Sequence, residues 1–371
     1  MRVLHVQRVA GLGGGSERHL AALLPSLADH GIDVRMLVLD SDDAEPFVRY
    51  LRSTGISVRR VPGGRDADPR TVARIVREIR AFDPDIVHTH LVHADTHGQV
   101  AARMTRRRGV SSMHGTHPFF TKEPTRSAAR VAGRLAARTI AISAWVARFL
   151  DENRQAPLDR IRTVLYGIDA APWTTDEGAR VQARESLGVA RDAFVVGVAS
   201  RLVPHKGHDV LLGAAAKARR AVPSVEVLVA GTGPIQADLE RTAARTPGLA
   251  RFLGFVEDMP TFMAACDAVA FPTSPAFGEG FGLAALEAQA AGRPVIGTNV
   301  ASLPEVVEDG KTGLLVAPDH EVALAGAIEL LGKDVKFRRR LGIQARERVV
   351  ESFSLDRMAE DTIAVYREAV A

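Results

Sequence analysis

One cysteine, two tryptophans and three tyrosines in 371 residues exclude several classes of protein at once. The lone Cys266 cannot build an intrachain disulfide framework and fits a reducing compartment, with small core filler as its expected role. No apolar run reaches the ~20 residues that span a bilayer. Met1-Arg2 runs directly into Val3-Leu4-His5-Val6 with no signal-like segment, so a cytoplasmic protein is expected. Aromatics make up only 5% and are not interleaved with the basic residues. No nucleic-acid reader motif appears, so nucleic acid is not an expected partner.

What the chain does have is core-building material: 46% hydrophobic and 25% charged residues. Its length exceeds one ordinary core and points to two domains. The net charge of +4 is unevenly placed. Residues 1–175 carry about 26 Lys/Arg against about 18 Asp/Glu, and the rest about 22 against about 26. In the first half, Arg126, Arg130, Arg134 and Arg138 recur every four residues along one side of a helical pattern. That stripe is either a solvated face or a surface for an anionic partner, including peripheral contact with the inner face of the plasma membrane.

Short apolar runs alternate with amphipathic stretches throughout. In the first half, strands are expected at 3–7, 33–39, 57–61, 85–88, 110–113 and 139–142. The stretch Asp169 to Asp176 holds turn formers and no period, so it reads as a linker. A second alternation follows, with strands at 194–199, 225–230, 251–253, 268–272, 294–297 and 313–316. Strand–helix alternation of this kind builds parallel sheets covered on both faces. The expected fold is α/β: two Rossmann-like doubly wound parallel-sheet domains facing a central cleft. The boundaries fall at 1–170 and 171–354, with a C-terminal helix at about 355–371 packing back on the first domain. In such sheets ligands bind beyond the carboxyl ends of the strands.

The strongest local signal lies after the strand at 268–272. There Phe277-Gly278-Glu279-Gly280-Phe281-Gly282-Leu283-Ala284-Ala285-Leu286-Glu287 passes from a glycine-rich turn into a helix. Free N–H groups at a helix start suit a phosphate. Glu279 and Glu287 flank this anion site eight residues apart, roughly 12 Å along a helix. That span suits a carboxylate–phosphate–carboxylate grip on an activated sugar, since carboxylates accept hydrogen bonds from hydroxyls. The alternative is a helix-capping Glu279 and a solvated Glu287, which the apolar neighbours of Glu287 disfavour.

The phrase resembles the Glu-x7-Glu hallmark of retaining glycosyltransferases of family 4, which have the GT-B fold, and the resemblance runs along nearly the whole chain. It implies that Glu287 binds the ribose hydroxyls and Glu279 the transferred hexose. The backbone of Gly280, Phe281, Gly282 and Leu283 would meet diphosphate and sugar. Arg201 and Lys206, in Ser200-Arg201-Leu202-Val203-Pro204-His205-Lys206-Gly207, match the family's cations that stabilise the leaving diphosphate. On their own, two cations five residues apart are as well explained as surface charge. Gly231 and Gly233 match its Gly-x-Gly-Pro, and Val256 sits where relatives hold the base, although Phe255-Val256 also reads as core. Gly14, Gly15 and Glu17 match a Gly-Gly-x-Glu loop over the donor phosphates, and fit it better than a dinucleotide fingerprint. His114, in His114-Gly115, would reach the transferred sugar. Ser143 matches a common serine or simply caps a helix. His117 faces the acceptor or caps a loop. Tyr166 stands where the family has asparagine, so no role carries over.

The activity implied is retaining transfer of a hexose-type sugar from a nucleotide-diphosphate sugar, UDP favoured over GDP, to a hydroxyl acceptor. The acceptor is a small molecule, a glycan or a lipid-linked group. No cofactor and no metal is required. The rivals are a nucleotide-sugar-binding protein or epimerase of the same fold, and a metal-dependent hydrolase built on His88, His90, His93 and His97. The run His88-Thr89-His90-Leu91-Val92-His93 approaches a His-x-His-x-Asp-His metal motif, but Val92 stands in place of the aspartate. His90 and His93 are therefore assigned to the acceptor side and His88 to strand packing.

Overall fold

The computed structural model describes residues 1–9, 11, 14–40, 43–64, 68–116, 118–173, 176–275 and 280–371. The chain divides into two compact units, Met1–Gly167 with Leu355–Ala371, and Ile168–Ser354.

The first unit runs β1 (Arg2–Arg8), α1 (Gly15–Asp29), β2 (Asp33–Asp40), α2 (Glu45–Ser53), β3 (Ser57–Pro62), α3 (Pro69–Phe82), β4 (Ile86–His90), α4 (Leu91–Met104), β5 (Arg108–Met113), α5 (Thr125–Leu135), β6 (Arg138–Ala141), α6 (Ala144–Glu152) and β7 (Ile161–Thr163). The seven strands form one parallel sheet in the order β3-β2-β1-β4-β5-β6-β7. Local signals explain the helices. In α3 the Asp68 side chain caps Arg70 N–H, Pro69 occupies the first turn, and Ile75, Ile79 and Phe82 form the buried stripe.

Alternation along the strands divides the core in two. Leu4, Val6 and Val87 pack with Ile75 and Ile79 of α3 and Ala94 of α4 on one face. Val3, Ile86 and Val110 pack on the other, against Leu20 and Leu24 of α1 and the end of the chain. That end is the helix Leu355–Val370, which belongs to the first unit and buries Met358, Ala359, Thr362, Ile363, Tyr366 and Ala369. Two details differ from expectation. β4 continues to His90 and α4 begins at Leu91, because His88 and His90 are core residues of the strand. β7 is a three-residue edge strand, too short and polar to register as an apolar run.

The second unit runs α7 (Glu177–Ser186), β8 (Phe194–Ala199), α8 (His208–Ala218), β9 (Val225–Ala230), α9 (Gln236–Ala244), β10 (Ala250–Gly254), α10 (Met259–Ala265), β11 (Ala268–Phe271), α11 (Leu283–Ala290), β12 (Val295–Thr298), α12 (Leu303–Val306), β13 (Gly313–Val316), α13 (Glu321–Lys333) and α14 (Val335–Ser352); the helix 355–370 is α15. Its six-stranded parallel sheet has the order β10-β9-β8-β11-β12-β13. The strand order reverses between β8 and β11, which is where doubly wound sheets bind ligands. Cys266 is buried, donates to the Phe262 carbonyl oxygen at 3.2 Å, and has its thiol pushed up to about 12, chiefly by burial.

Candidate functional site

In the second unit, the loops leaving β8, β9 and β11 pack on one another at the carboxyl end of the sheet. Leu202 N–H donates to the Thr232 carbonyl at 2.9 Å, and Ser274 N–H to the His205 carbonyl at 2.9 Å. Glycines permit this closeness. Gly207 has φ 67°, and a Cβ there would overlap the Pro272 carbonyl; one at Gly231, φ 136°, would overlap the Ser200 carbonyl. Gly233 lies against the Leu202 backbone in the same way. Arg201 is exposed on this assembly and Lys206 half-buried.

The loop after β11 delivers α11. Gly282 is its N-cap, in the left-handed region at φ 89°. Leu283 opens the helix, half-buried, and Gly280 lies in the loop before it. Phe281 is buried edge-on against Phe353, 6.0 Å between ring centroids, which anchors the turn. Glu287 lies one turn into α11 and is 1% exposed. An acidic side chain that deep on a helix of alanine and leucine is not a solvated face. Glu279 and His117 lie outside the described residues. Val256 follows β10 half-buried, while Phe255 beside it is 69% exposed, so Phe255 is not core.

In the first unit, Gly14 is the N-cap of α1 and Gly15 its first residue. Glu17, in that first turn, is buried and accepts from the Ser16 hydroxyl at 2.8 Å, which accepts in turn from the Gln7 amide at 3.2 Å. Ser143 is wholly buried as the N-cap of α6, accepting from Val146 N–H at 3.1 Å. His93 lies in the first turn of α4 with its ring 4.7 Å from that of His97, whose Nδ1 binds the His93 carbonyl.

His5, His19, His88, His90 and His114 gather on the α1/α15 side of the sheet. His5 of β1 is in register with His88 of β4, and His90 with Ser112 of β5. Period-two alternation puts His88 and His90 on one face. His5 Nδ1 meets His90 Nε2 at 3.0 Å, and His90 Nδ1 meets His114 Nε2 at 3.0 Å. His114 Nδ1 meets the Tyr166 hydroxyl at 2.5 Å. At the other end, the Tyr366 hydroxyl joins His5 Nε2 at 3.3 Å to His88 Nδ1 at 2.7 Å, and His88 Nε2 meets the Ser112 hydroxyl at 2.7 Å. His19 of α1 stacks on Tyr166 at 4.1 Å.

Burial pushes His5 and His114 down to about 3 and holds His19, His88 and His90 well below the usual imidazole range. The five rings are neutral at pH 7. His90, assigned above to the acceptor side, is fully buried with both nitrogens engaged by His5 and His114, so it presents no nitrogen to an acceptor.

Ligand atoms of His5, His88 and His90 come within 4.8 Å of one another, near enough for a metal ion. Yet every nitrogen of these three rings already has a hydrogen-bond partner. No carboxylate is among those partners. An ion there would break satisfied bonds and bring uncompensated charge into a dry core. The residues thus fit a hydrogen-bonded core better than a metal centre. Sequence reasoning missed His5, His19, Ser112 and Tyr366; the available signal was a polar residue at period-two positions in β1, β4 and β5.

Comparison with known proteins follows this division. Residues 13–171 match the family model described as Glycosyltransferase Family 4, and residues 193–334 the one described as Glycosyl transferases group 1. The chain is 32% identical to a D-inositol 3-phosphate glycosyltransferase of Actinosynnema mirum, over 97% of this chain and 93% of that one. It is 31% identical to one of Saccharomonospora viridis, over 96% and 90%. Among solved structures, Anabaena Alr3699/HepE in complex with UDP and glucose superposes with a TM-score of 0.85 at 25% identity, covering 98% of both chains. The two parallel-sheet units are those of the GT-B fold, and the chain belongs to glycosyltransferase family 4.

Proposed function

We propose that this glycosyltransferase moves a hexosyl group from a nucleotide-diphosphate sugar, UDP favoured over GDP, to a hydroxyl acceptor with retention of anomeric configuration. The observation that carries this reading is the assembly at the carboxyl end of the second sheet. Two cations, close-approach glycines and a helix N-terminus follow adjacent strands, with the buried Glu287 one turn inside.

In this reading Glu287 accepts from the ribose hydroxyls, and backbone groups near Val256 hold the base. The N–H groups of Gly280 to Leu283 and the turn at Gly231 and Gly233 meet the diphosphate and sugar, while Glu279 holds the hexose. Arg201 and Lys206 lower the barrier by stabilising the charge that develops as the diphosphate leaves. Gly14 and Gly15 close over the phosphates, and His114 contacts the transferred sugar. The acceptor attacks from the face the diphosphate leaves, and the departing phosphate takes its proton, so no protein base is needed. Fixed cations supply the charge neutralisation that a metal supplies elsewhere, and no cofactor enters.

The Anabaena structure holds UDP and glucose, which supports a UDP-sugar here. The relatives named for D-inositol 3-phosphate make an anionic polyol the first acceptor to try, and the basic first unit suits one. A lipid-linked acceptor with peripheral contact at an anionic membrane uses the same charge; no described helix is long and apolar enough to cross a membrane. The test is thermal shift with UDP-glucose and GDP-glucose, then turnover. A larger shift with the UDP-sugar that Lys206→Ala abolishes supports the reading; no shift with either overturns it.

A further inference from the structure

We infer that His5, His88, His90 and Tyr366 are positioning residues for His114. Ser112, His88, Tyr366, His5, His90, His114 and Tyr166 form one directional hydrogen-bond chain. The four histidines on it must share a tautomer, so the interior sets whether His114 offers a donor or an acceptor. This rests on the reading of His114 as a sugar contact.

A neutral imidazole carries one N–H and one bare nitrogen. If His5 holds its proton on Nδ1, it donates to His90 Nε2. His90 then holds its proton on Nδ1 and donates to His114 Nε2, and His114 donates from Nδ1 to Tyr166. In the other direction, His5 Nε2 accepts from the Tyr366 hydroxyl, whose oxygen accepts from His88 Nδ1, and His88 Nε2 accepts from Ser112. All four rings are then Nδ1–H. Reversing every bond makes all four Nε2–H. Any mixture sets two N–H groups or two lone pairs face to face in a dry core, or leaves the Tyr366 hydrogen without an acceptor.

Tyr166 and Ser112 are themselves buried, so the chain is open to solvent at His114. His5, His88, His90 and Tyr366 are essentially fully buried, whereas His114 is partly exposed. A substrate hydroxyl enters by replacing Tyr166 at His114 Nδ1. In the Nδ1–H state that nitrogen donates to the sugar, and in the Nε2–H state it accepts. Which nitrogen is protonated is decided by the partner of the other one, and here that partner is fixed by a chain reaching α15. Tyr166, the residue that replaces the family's asparagine, supplies the hydroxyl that His114 Nδ1 meets.

The test uses full-length protein labelled with 15N at histidine, and reads tautomers from two-bond 1H–15N couplings at pH 7.5, with signals assigned by single histidine-to-glutamine variants. All four rings should show one tautomer. In Tyr366→Phe, which keeps the packing ring, that uniformity should break between His88 and the other three. In the same variant kcat for UDP release from UDP-glucose should fall about tenfold, with the donor KM within about twofold. If Tyr366→Phe does not fold, Ser112→Ala probes the far end of the same chain: Tyr366 still couples His88 to His5, so all four rings should keep one shared tautomer, and a His88 tautomer opposed to that of His5 overturns the inference. Opposed tautomers on His5, His90 and His114 in the wild type overturn the inference whatever the activity. So does a Tyr366→Phe protein with unchanged tautomers and kcat. Uniform tautomers with wild-type turnover in His114→Ala would instead overturn the reading of His114 on which the inference rests.

Discussion

The Tyr366 hydroxyl on α15 lies 2.7 Å from Nδ1 of His88 on β4, closing a sequence separation of 278 residues. The last helix of the chain is thus tied to the core of its first unit by a polar bond. Tyr366→Phe keeps the ring but leaves His88 Nδ1 and His5 Nε2 without their shared partner. Each unsatisfied buried group costs about 1–3 kcal/mol. The midpoint of urea unfolding at pH 7.5 should fall accordingly, and an unchanged midpoint would show that the bond contributes nothing.

Acid should destabilise the first unit through the same rings. The unfolded histidines take up protons near 6.5, whereas folded His5 and His114 stay neutral down to about 3. The unfolded state therefore binds more protons in that window, and stability is lost as pH falls from 6.5 towards 3. His19, His88 and His90 act in the same direction. Tyr166 and Tyr366, raised by burial, stay neutral throughout. The melting temperature should climb steadily between pH 4 and pH 6.5. A flat profile there would mean that these rings are charged or hydrated in the folded state.

Asp95 runs the other way. It sits on the α4 side of the sheet, accepts a hydrogen bond from the Thr89 hydroxyl, and is raised from 3.8 to about 7 by burial. The folded state holds its proton between those values while the unfolded state has lost it, so its contribution fades as pH rises through 7. Asp95→Asn should gain on the wild type as pH increases from 4 to 8. Parallel melting curves for the two proteins would contradict the raised value.

Gly207 and Gly231 are the tightest test of the proposal that the loops after β8 and β9 hold the donor. An alanine at either meets a carbonyl oxygen and a strained positive φ together. Each substitution should cost about 1–3 kcal/mol and weaken UDP binding, measured by calorimetry. Gly310→Ala, at φ 70° with nothing near its Cβ, isolates the strain alone and should leave UDP affinity unchanged.

Glu287→Gln preserves volume in a site that is 1% exposed. Hydrogen bonds to a charged group contribute about 1.5–3 kcal/mol, so UDP affinity should fall roughly tenfold to a hundredfold with a near-native melting temperature. Unaltered UDP affinity would remove Glu287 from the ribose.

The two sheets were legible because their strands are short apolar runs between turn formers. β8, β9 and β13 begin and end where the pattern places them. β7 escaped because Ile161-Arg162-Thr163 offers one apolar residue at a sheet edge. The loop assembly at the carboxyl end of the second sheet was legible because glycines and cations sit within a few positions of strand ends. The histidine chain was not, because it is assembled across β1, β4, β5 and α15, and adjacency between strands is set by topology. Tyr166 shows the boundary: its departure from the family pattern was visible in the sequence, its bond to His114 only in the structure.

The most direct measurement is the anomer of the first sugar released. With UDP-glucose as donor and water or an added polyol as acceptor, proton NMR taken before mutarotation reads the configuration at the anomeric carbon. Retention by same-face attack predicts α-product from the α-linked donor. A β-product would contradict it, and so would no release from any nucleotide sugar.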